Sequence, residues 1–72
     1  MFFVKVKDVD RLVNIDELTL VKENDAYSLV GYHNGNKVNL GSYSEKTARS
    51  LFKDMFFAIR HGRTYYEMPD KE

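Results

Sequence analysis

Four carboxylates near the start of the chain are the residues whose types and spacing come nearest to a cation site. They are Asp8, Asp10, Asp16 and Glu17. A calcium loop needs a glycine at its sharp turn and a set spacing of oxygen ligands, and this stretch has neither. We interpret the four residues as parts of solvated turns, and we predict no metal site and no cofactor.

The two histidines are the other side chains that could do chemistry near neutral pH. His33 lies at a predicted hairpin end and His61 at a predicted helix end, far apart in the sequence. General acid–base catalysis needs a second reacting group beside the histidine, and no serine or threonine lies in a recognisable activating motif. Cysteine is absent, so a thiolate nucleophile is excluded. The sequence therefore predicts a protein that is not an enzyme.

A helix is predicted over residues 44–61, SEKTARSLFKDMFFAIRH. Its apolar residues recur at helical spacing and predict a core-facing stripe: Ala48, Leu51, Phe52, Met55, Phe56 and Ile59. Phe57 breaks this pattern, because at about 100° per residue it points almost directly away from the stripe. An aromatic side chain on the wet side of a helix has no evident role in the chain's own core.

Basic residues surround Phe57 on the predicted outer flank, namely Lys46, Arg49, Lys53, Arg60 and Arg63. We predict that they form, with Phe57, a site for a partner protein or an anionic ligand, because an aromatic amid cations suits an interface or a stacked base. The alternative is a solvated helix face with no further role.

The chain is so short that we expect its fold to need stabilisation beyond its own core. A domain of 72 residues buries only about 60% of its unfolded surface, and with no cysteine it has no disulfide. We therefore expect a homo-oligomer, with an interface drawn from apolar positions that one small core cannot hold: Val30, Tyr32, Phe57, Tyr65 and Tyr66. Since Tyr65 and Tyr66 alternate, either one packs on the sheet and one is exposed, or the tail adds as a strand to a neighbour.

Charge and hydropathy bound the class of partner. Eleven basic and eleven acidic residues balance, which argues against a dedicated nucleic-acid binder. The helix and its end, residues 44–63, nevertheless hold five basic and two acidic groups. No signal peptide and no apolar run of membrane-spanning length is evident, so we expect a cytoplasmic protein without a membrane partner.

The part before the helix is predicted to be β. Alternation begins at Phe2, and Asn34-Gly35 is a strong signal for a two-residue hairpin turn that would place Leu29 opposite Leu40. Ser44 is the predicted helix N-cap and Gly62 the residue that ends the helix. The predicted fold is α+β in a single domain, 1–72. It has an antiparallel meander of about four strands (2–41), one amphipathic helix packed on one face (44–61) and an extended tail (63–69).

The segments VNIDELTLV, NGNKVNLGSYS, EKTARSLFKDMFFAI and the following YYEMP resemble a loosely related set of small proteins from Gram-positive bacteria and their phages. In that set a short β-meander leads into one helix. The resemblance implies a phage or bacterial setting and carries over no catalytic residue. Its implied function is a non-catalytic, oligomeric, phage-encoded binding protein that occupies or inhibits a host defence protein in the host cytoplasm.

The alternative function is a sponge that sequesters a phosphate-bearing signalling nucleotide between protomers. In that case Arg49, Lys53, Arg60 or Arg63 would bind phosphate, and an aromatic side chain would stack on the base.

Overall fold

The computed structural model describes residues 1–71, and within them it has six strands and one helix. In chain order these are β1 (Phe2–Lys5), β2 (Leu12–Ile15), β3 (Glu17–Glu23), β4 (Ala26–His33), β5 (Asn36–Tyr43), α1 (Glu45–Arg60) and β6 (Tyr65–Glu67). The predicted α+β class is confirmed, since one long helix follows the strands and packs on the sheet. The predicted extended tail contains β6.

The strands form two three-stranded sheets, where the sequence predicted one meander of about four strands. β3, β4 and β5 form an antiparallel meander, while β1 pairs antiparallel with β2 and parallel with β6. The backbone bends at Asp16, between β2 and β3. The sequence indicated a kink at this point, but not that it would send the two halves into different sheets.

The two sheets and α1 share one apolar core. Its buried members are Phe2, Val4, Val6, Ile15, Leu29, Leu40, Tyr43, Ala48, Leu51, Met55, Ala58 and Met68. Gly31 lies where β2 crosses β4, and a Cβ placed there would stand 2.5 Å from Ile15 Cγ2. Such a distance is shorter than van der Waals contact allows, so the absent side chain is what lets the two sheets approach.

Local turn and cap signals are confirmed. Asn34 and Gly35 both have positive φ, at 51° and 81°, as a type I′ turn requires. The Ser44 side chain accepts a hydrogen bond from the Thr47 N–H and so caps the first turn of α1. Gly62 follows the helix with φ 73°, the left-handed conformation that ends many helices.

The register between β4 and β5 differs from the prediction at one point. Val30 pairs with Asn39 as expected, but Leu29 lies opposite Gly41 because a β-bulge intervenes between Leu29 and Val30. The prediction that Leu29 faces Leu40 is therefore wrong. The bulge adds one residue to β5, and both leucines still reach the core.

The buried stripe of α1 is narrower than predicted and is rotated around the helix. Ala48, Leu51, Met55 and Ala58 are its buried residues. Phe56 is 54% exposed and Ile59 is 45% exposed, so the assignment of these two residues to the core is wrong. The helix is rotated so that Leu51 and Met55 fill the core, with an alanine at each end of the stripe, and Phe56 and Ile59 then lie on the flank.

Met55 and Phe56 are adjacent on α1, so they make a matched test of this orientation. Met55→Ala removes a fully buried side chain and should lower the free energy of unfolding by about 2–5 kcal/mol. Phe56→Ala should cost less than about 1 kcal/mol, because more than half of that side chain is already in water. Urea unfolding of both variants measures the difference, and equal losses would contradict the orientation.

Candidate functional site

A groove lies between α1 and β6 on the surface of the protein. It has a volume of about 230 Å³, and we call it the aromatic groove, after Phe57, Tyr65 and Tyr66. The remaining lining residues are Asp54, Ala58 and Arg63. Phe57, Arg63, Tyr65 and Tyr66 were each predicted from the sequence as binding or interface residues, and the structure brings these four together.

The end of the helix positions both walls of the aromatic groove. The left-handed Gly62 turns the chain back, and the Arg63 N–H then donates to the Ala58 carbonyl at 3.0 Å. The Thr64 carbonyl accepts a hydrogen bond from the Phe3 N–H, which starts the parallel pairing of β6 with β1. These two hydrogen bonds therefore fix the position of β6, the strand that carries the tyrosines, beside α1.

Three rings give the aromatic groove its character. Phe57 is 63% exposed, and its ring lies edge-on to that of His61, with centroids 4.1 Å apart. Tyr65 is 49% exposed, whereas Tyr66 is half-buried and packs against the core. The expectation that one tyrosine packs on the sheet while the other is exposed is thus confirmed, and the tail pairs with its own chain.

Both tyrosines keep their phenolic protons at neutral pH. Partial burial, aided by the charge and hydrogen bond of Glu67, raises the pKa of Tyr65. Partial burial also raises the pKa of Tyr66, aided by Asp54 across the aromatic groove. A neutral phenol has an apolar ring and a hydrogen-bonding tip, a combination that is common at protein interfaces.

A second groove, of about 440 Å³, lies on the other flank of α1, against β3. We call it the basic groove; it is lined by Leu20, Arg49, Ser50, Phe52 and Lys53. Arg49 Nε donates to Glu45 Oε2 at 2.9 Å, and this bond is the main cause of its raised pKa. The Arg49 guanidinium also lies 5.4 Å from the Tyr27 ring centroid, so it already has partners in the chain.

The structure divides the predicted set of basic residues. Arg49 and Lys53 line the basic groove, while Arg63 lines the aromatic groove. Lys46 and Arg60 are exposed on α1 and line neither groove; the Arg60 guanidinium lies 5.9 Å from the Phe56 ring centroid. These five basic residues and Phe57, the six residues predicted as one binding site, therefore do not form a continuous surface.

The remaining predicted interface residues lie elsewhere, on β4. Val30 is only 2% exposed and offers almost no surface, although it lies outside the main core cluster. Tyr32 follows it at the next position on the same face and is half-buried.

The carboxylates and histidines that stood out in the sequence lie at turns, at bends and at the ends of elements. Among residues 1–71, no group of three histidine or acidic side chains is placed to hold a metal ion. Asp8 lies in a turn, where its N–H donates to Asp70 Oδ1. His33 Nδ1 lies 3.2 Å from Asp16 Oδ2, so the two side chains bring the β2–β3 bend next to the β4–β5 hairpin.

Sequence reasoning missed some of the residues that shape these grooves. Asp54 belongs to the aromatic groove, and His61 supports Phe57 from four residues along the helix. The i, i+4 spacing of Phe57 and His61 is a signal that could have linked them. Leu20 and Phe52 both line the basic groove, although they come from distant segments and no local pattern links them.

Comparisons with protein-family models, with curated proteins and with solved structures found no match to this chain. Within residues 1–71, α1 lacks the length and apolar character that a membrane crossing demands.

The raised pKa values of the two tyrosines make a pH prediction. A folded-state pKa above the unfolded value stabilises the fold at lower pH, and that contribution is lost as pH rises through the folded pKa. We therefore expect alkaline destabilisation above pH ~10, the ordinary tyrosine value. Asp54→Asn should lower the Tyr66 pKa by removing a negative neighbour, as absorbance titration of the phenolates would show. An unchanged or higher Tyr66 pKa would contradict this arrangement.

Proposed function

We propose that this protein is a non-catalytic binding protein that holds a partner protein in the aromatic groove. The observation that carries the proposal is the convergence of Phe57, Tyr65, Tyr66 and Arg63 on one groove from two different elements. Aromatic residues and arginine dominate the energetics of protein interfaces. Two of these rings are about half in water or more, so a partner can still bury them.

The shape of the aromatic groove favours a side chain of a partner protein over a small molecule. Its 230 Å³ falls below the roughly 300–1,000 Å³ of small-molecule sites. A groove of this size accepts one or two anchoring side chains while the surrounding surface excludes water. Asp54 and Arg63 place one charge of each sign at its rim, and these would select the partner's register.

The setting of this activity is also a proposal. The resemblance to small proteins of Gram-positive bacteria and their phages supports a phage-encoded protein that occupies a host defence protein in the cytoplasm. Such a protein acts by covering a surface, so it needs no reacting groups.

The nucleotide sponge is a second candidate, and the basic groove is what favours it. A volume of about 440 Å³ can take a mononucleotide, with Arg49 and Lys53 for phosphate and Phe52 for the base. Against it, Glu45 already binds Arg49 at 2.9 Å and would have to be displaced or would repel the phosphate. The aromatic groove meets no such competition, so we place protein binding first.

A capture experiment with two matched variants tests the leading proposal. Immobilised protein should retain the same host protein in its wild-type form and as Phe56→Ala, but lose it as Phe57→Ala or Tyr65→Ala. Phe56 and Phe57 are adjacent, of the same type and similarly exposed, but only Phe57 lines the aromatic groove. For an interface anchor, we expect affinity to fall by about 30-fold or more on isothermal calorimetry with the purified partner. Equal loss in both phenylalanine variants would refute the assignment.

Calorimetry against cyclic and ADP-ribose-type nucleotides tests the sponge. We expect no heat with any of them. Submicromolar binding that disappears in Arg49→Ala or Lys53→Ala, but survives in Phe57→Ala, would establish the sponge and displace the first proposal. Recovery of the nucleotide after denaturation would then show whether it remains intact, as a non-catalytic protein requires.

A further inference from the structure

The outer edge of β3 is the longest unpaired strand edge in the described part of the chain. β3 lies at the side of its sheet, and its seven residues pair only with β4. In an antiparallel ladder the backbone groups of alternate residues point away from the partner strand, so this edge presents free donors and acceptors. Its central residues are Leu18, Thr19, Leu20 and Val21, with no charge to discourage pairing.

The other sheet edges are shorter or covered. β5 is the far edge of the same sheet, and its Leu40 carbonyl accepts a hydrogen bond from the Lys7 N–H at 2.9 Å. In the other sheet, β6 has three residues and β2 has four. β3 is thus the edge best able to add a further strand.

The surface beside this edge is apolar as well. Leu20 and Phe52 of α1 both line the basic groove, and Leu18 and Ile59 both line a neighbouring groove of about 300 Å³. A strand added to β3 would therefore place its own side chains against this flank of the helix.

The order of residues along β3 is complementary to itself in one antiparallel register. With Thr19 opposite Thr19 of a second copy, Leu18 faces Leu20 and Glu17 faces Val21, while Lys22 lies beside the end of the other strand, where Glu17 begins β3 and Asp16 forms the bend. Same-face residues stay opposite each other, the two leucine pairs are favourable, and no two like charges face each other. Moving the register by one residue on each strand, so that Leu20 faces Leu20, would instead place Glu17 opposite Glu23 and Leu18 opposite Lys22.

We propose that the protein is a dimer in which the β3 strands of two copies pair antiparallel about Thr19, joining their meanders into one six-stranded sheet. The two-fold symmetry supplies each favourable pair twice, as in other isologous interfaces. This interface lies on the β3 side of α1, so the aromatic groove on the β6 side stays open. The proposal does not depend on the proposed function.

Disulfide cross-linking of single introduced cysteines can test the register of the β3–β3 pairing, because the chain has no cysteine of its own. In the proposed dimer the two Thr19 Cα atoms stand about 4.5–5.5 Å apart, within the range that a disulfide spans. Thr19→Cys should therefore give a covalent dimer under mild oxidation. Val21→Cys is the matched control, on the same strand face and similarly half-buried. Its two copies would lie about 14 Å apart in this register and should not cross-link.

Sedimentation at micromolar concentration tests the association and its charges. We expect twice the 8.5 kDa chain mass for the wild type and for Phe57→Ala. Lys22→Glu should weaken the dimer by about tenfold, since in this register Lys22 of each copy lies beside the acidic Asp16 and Glu17 of the other. Lys37→Glu, the same charge change at an exposed residue of β5, should not weaken it.

A monomer mass for the wild type would overturn the proposal. A dimer that cross-links through Val21→Cys as readily as through Thr19→Cys, or through neither, would overturn it too, since its interface would then be another surface or register. If Phe57→Ala disrupted the dimer, the interface would lie at the aromatic groove and not at β3. Loss of partner capture in Phe57→Ala while the dimer persists separates this proposal from the proposed function.

Discussion

The contact between Ile15 and Gly31 is the constraint on which the rest of the structure depends. The bend at Asp16 leads the chain from one sheet into the other, and the absent side chain at Gly31 lets β2 settle directly on β4. That approach brings Ile15 into the same core as Leu40, and so makes one hydrophobic core from two small sheets. A chain of 72 residues buries a small share of its surface, so combining the apolar faces of both sheets in one core is a large part of its stability. The positions of the helix, the tail and the two grooves all depend on this arrangement of the sheets.

The features that the sequence predicted correctly are local ones. Asn34-Gly35, Ser44 and Gly62 act through the conformational preferences of one or two residues, which do not depend on distant contacts. The rotation of α1 could not be found in this way. The apolar residues of α1 cover a wide arc of the helix surface. Their periodicity therefore indicates which side of the helix is apolar, but not which residues within that side face the core. That choice is set by how the helix packs on the sheet, which places Ala48 and Ala58 toward the core.

The candidate site shows the same division between local and distant information. Phe57 stood out from the sequence because it interrupts a helical stripe, which is a property of one segment. Its association with Tyr65 and Arg63 depends on β6 returning parallel to β1, a pairing of the two ends of the chain. Parallel pairing needs a long connection, which here is most of the chain. A pattern of neighbouring residues therefore cannot indicate that β6 pairs with β1. Sequence reasoning could therefore name several members of the groove but could not assemble them.

The two surfaces on which our proposals rest lie on opposite flanks of α1. One flank continues the β3 edge, and the other forms a wall of the aromatic groove with Phe57. In the dimer that we propose on β3, each copy would thus carry one aromatic groove, and the two grooves would be related by the two-fold axis. Against a partner that itself has two copies of an epitope, the second contact forms at high effective concentration and overall affinity rises without any new interaction.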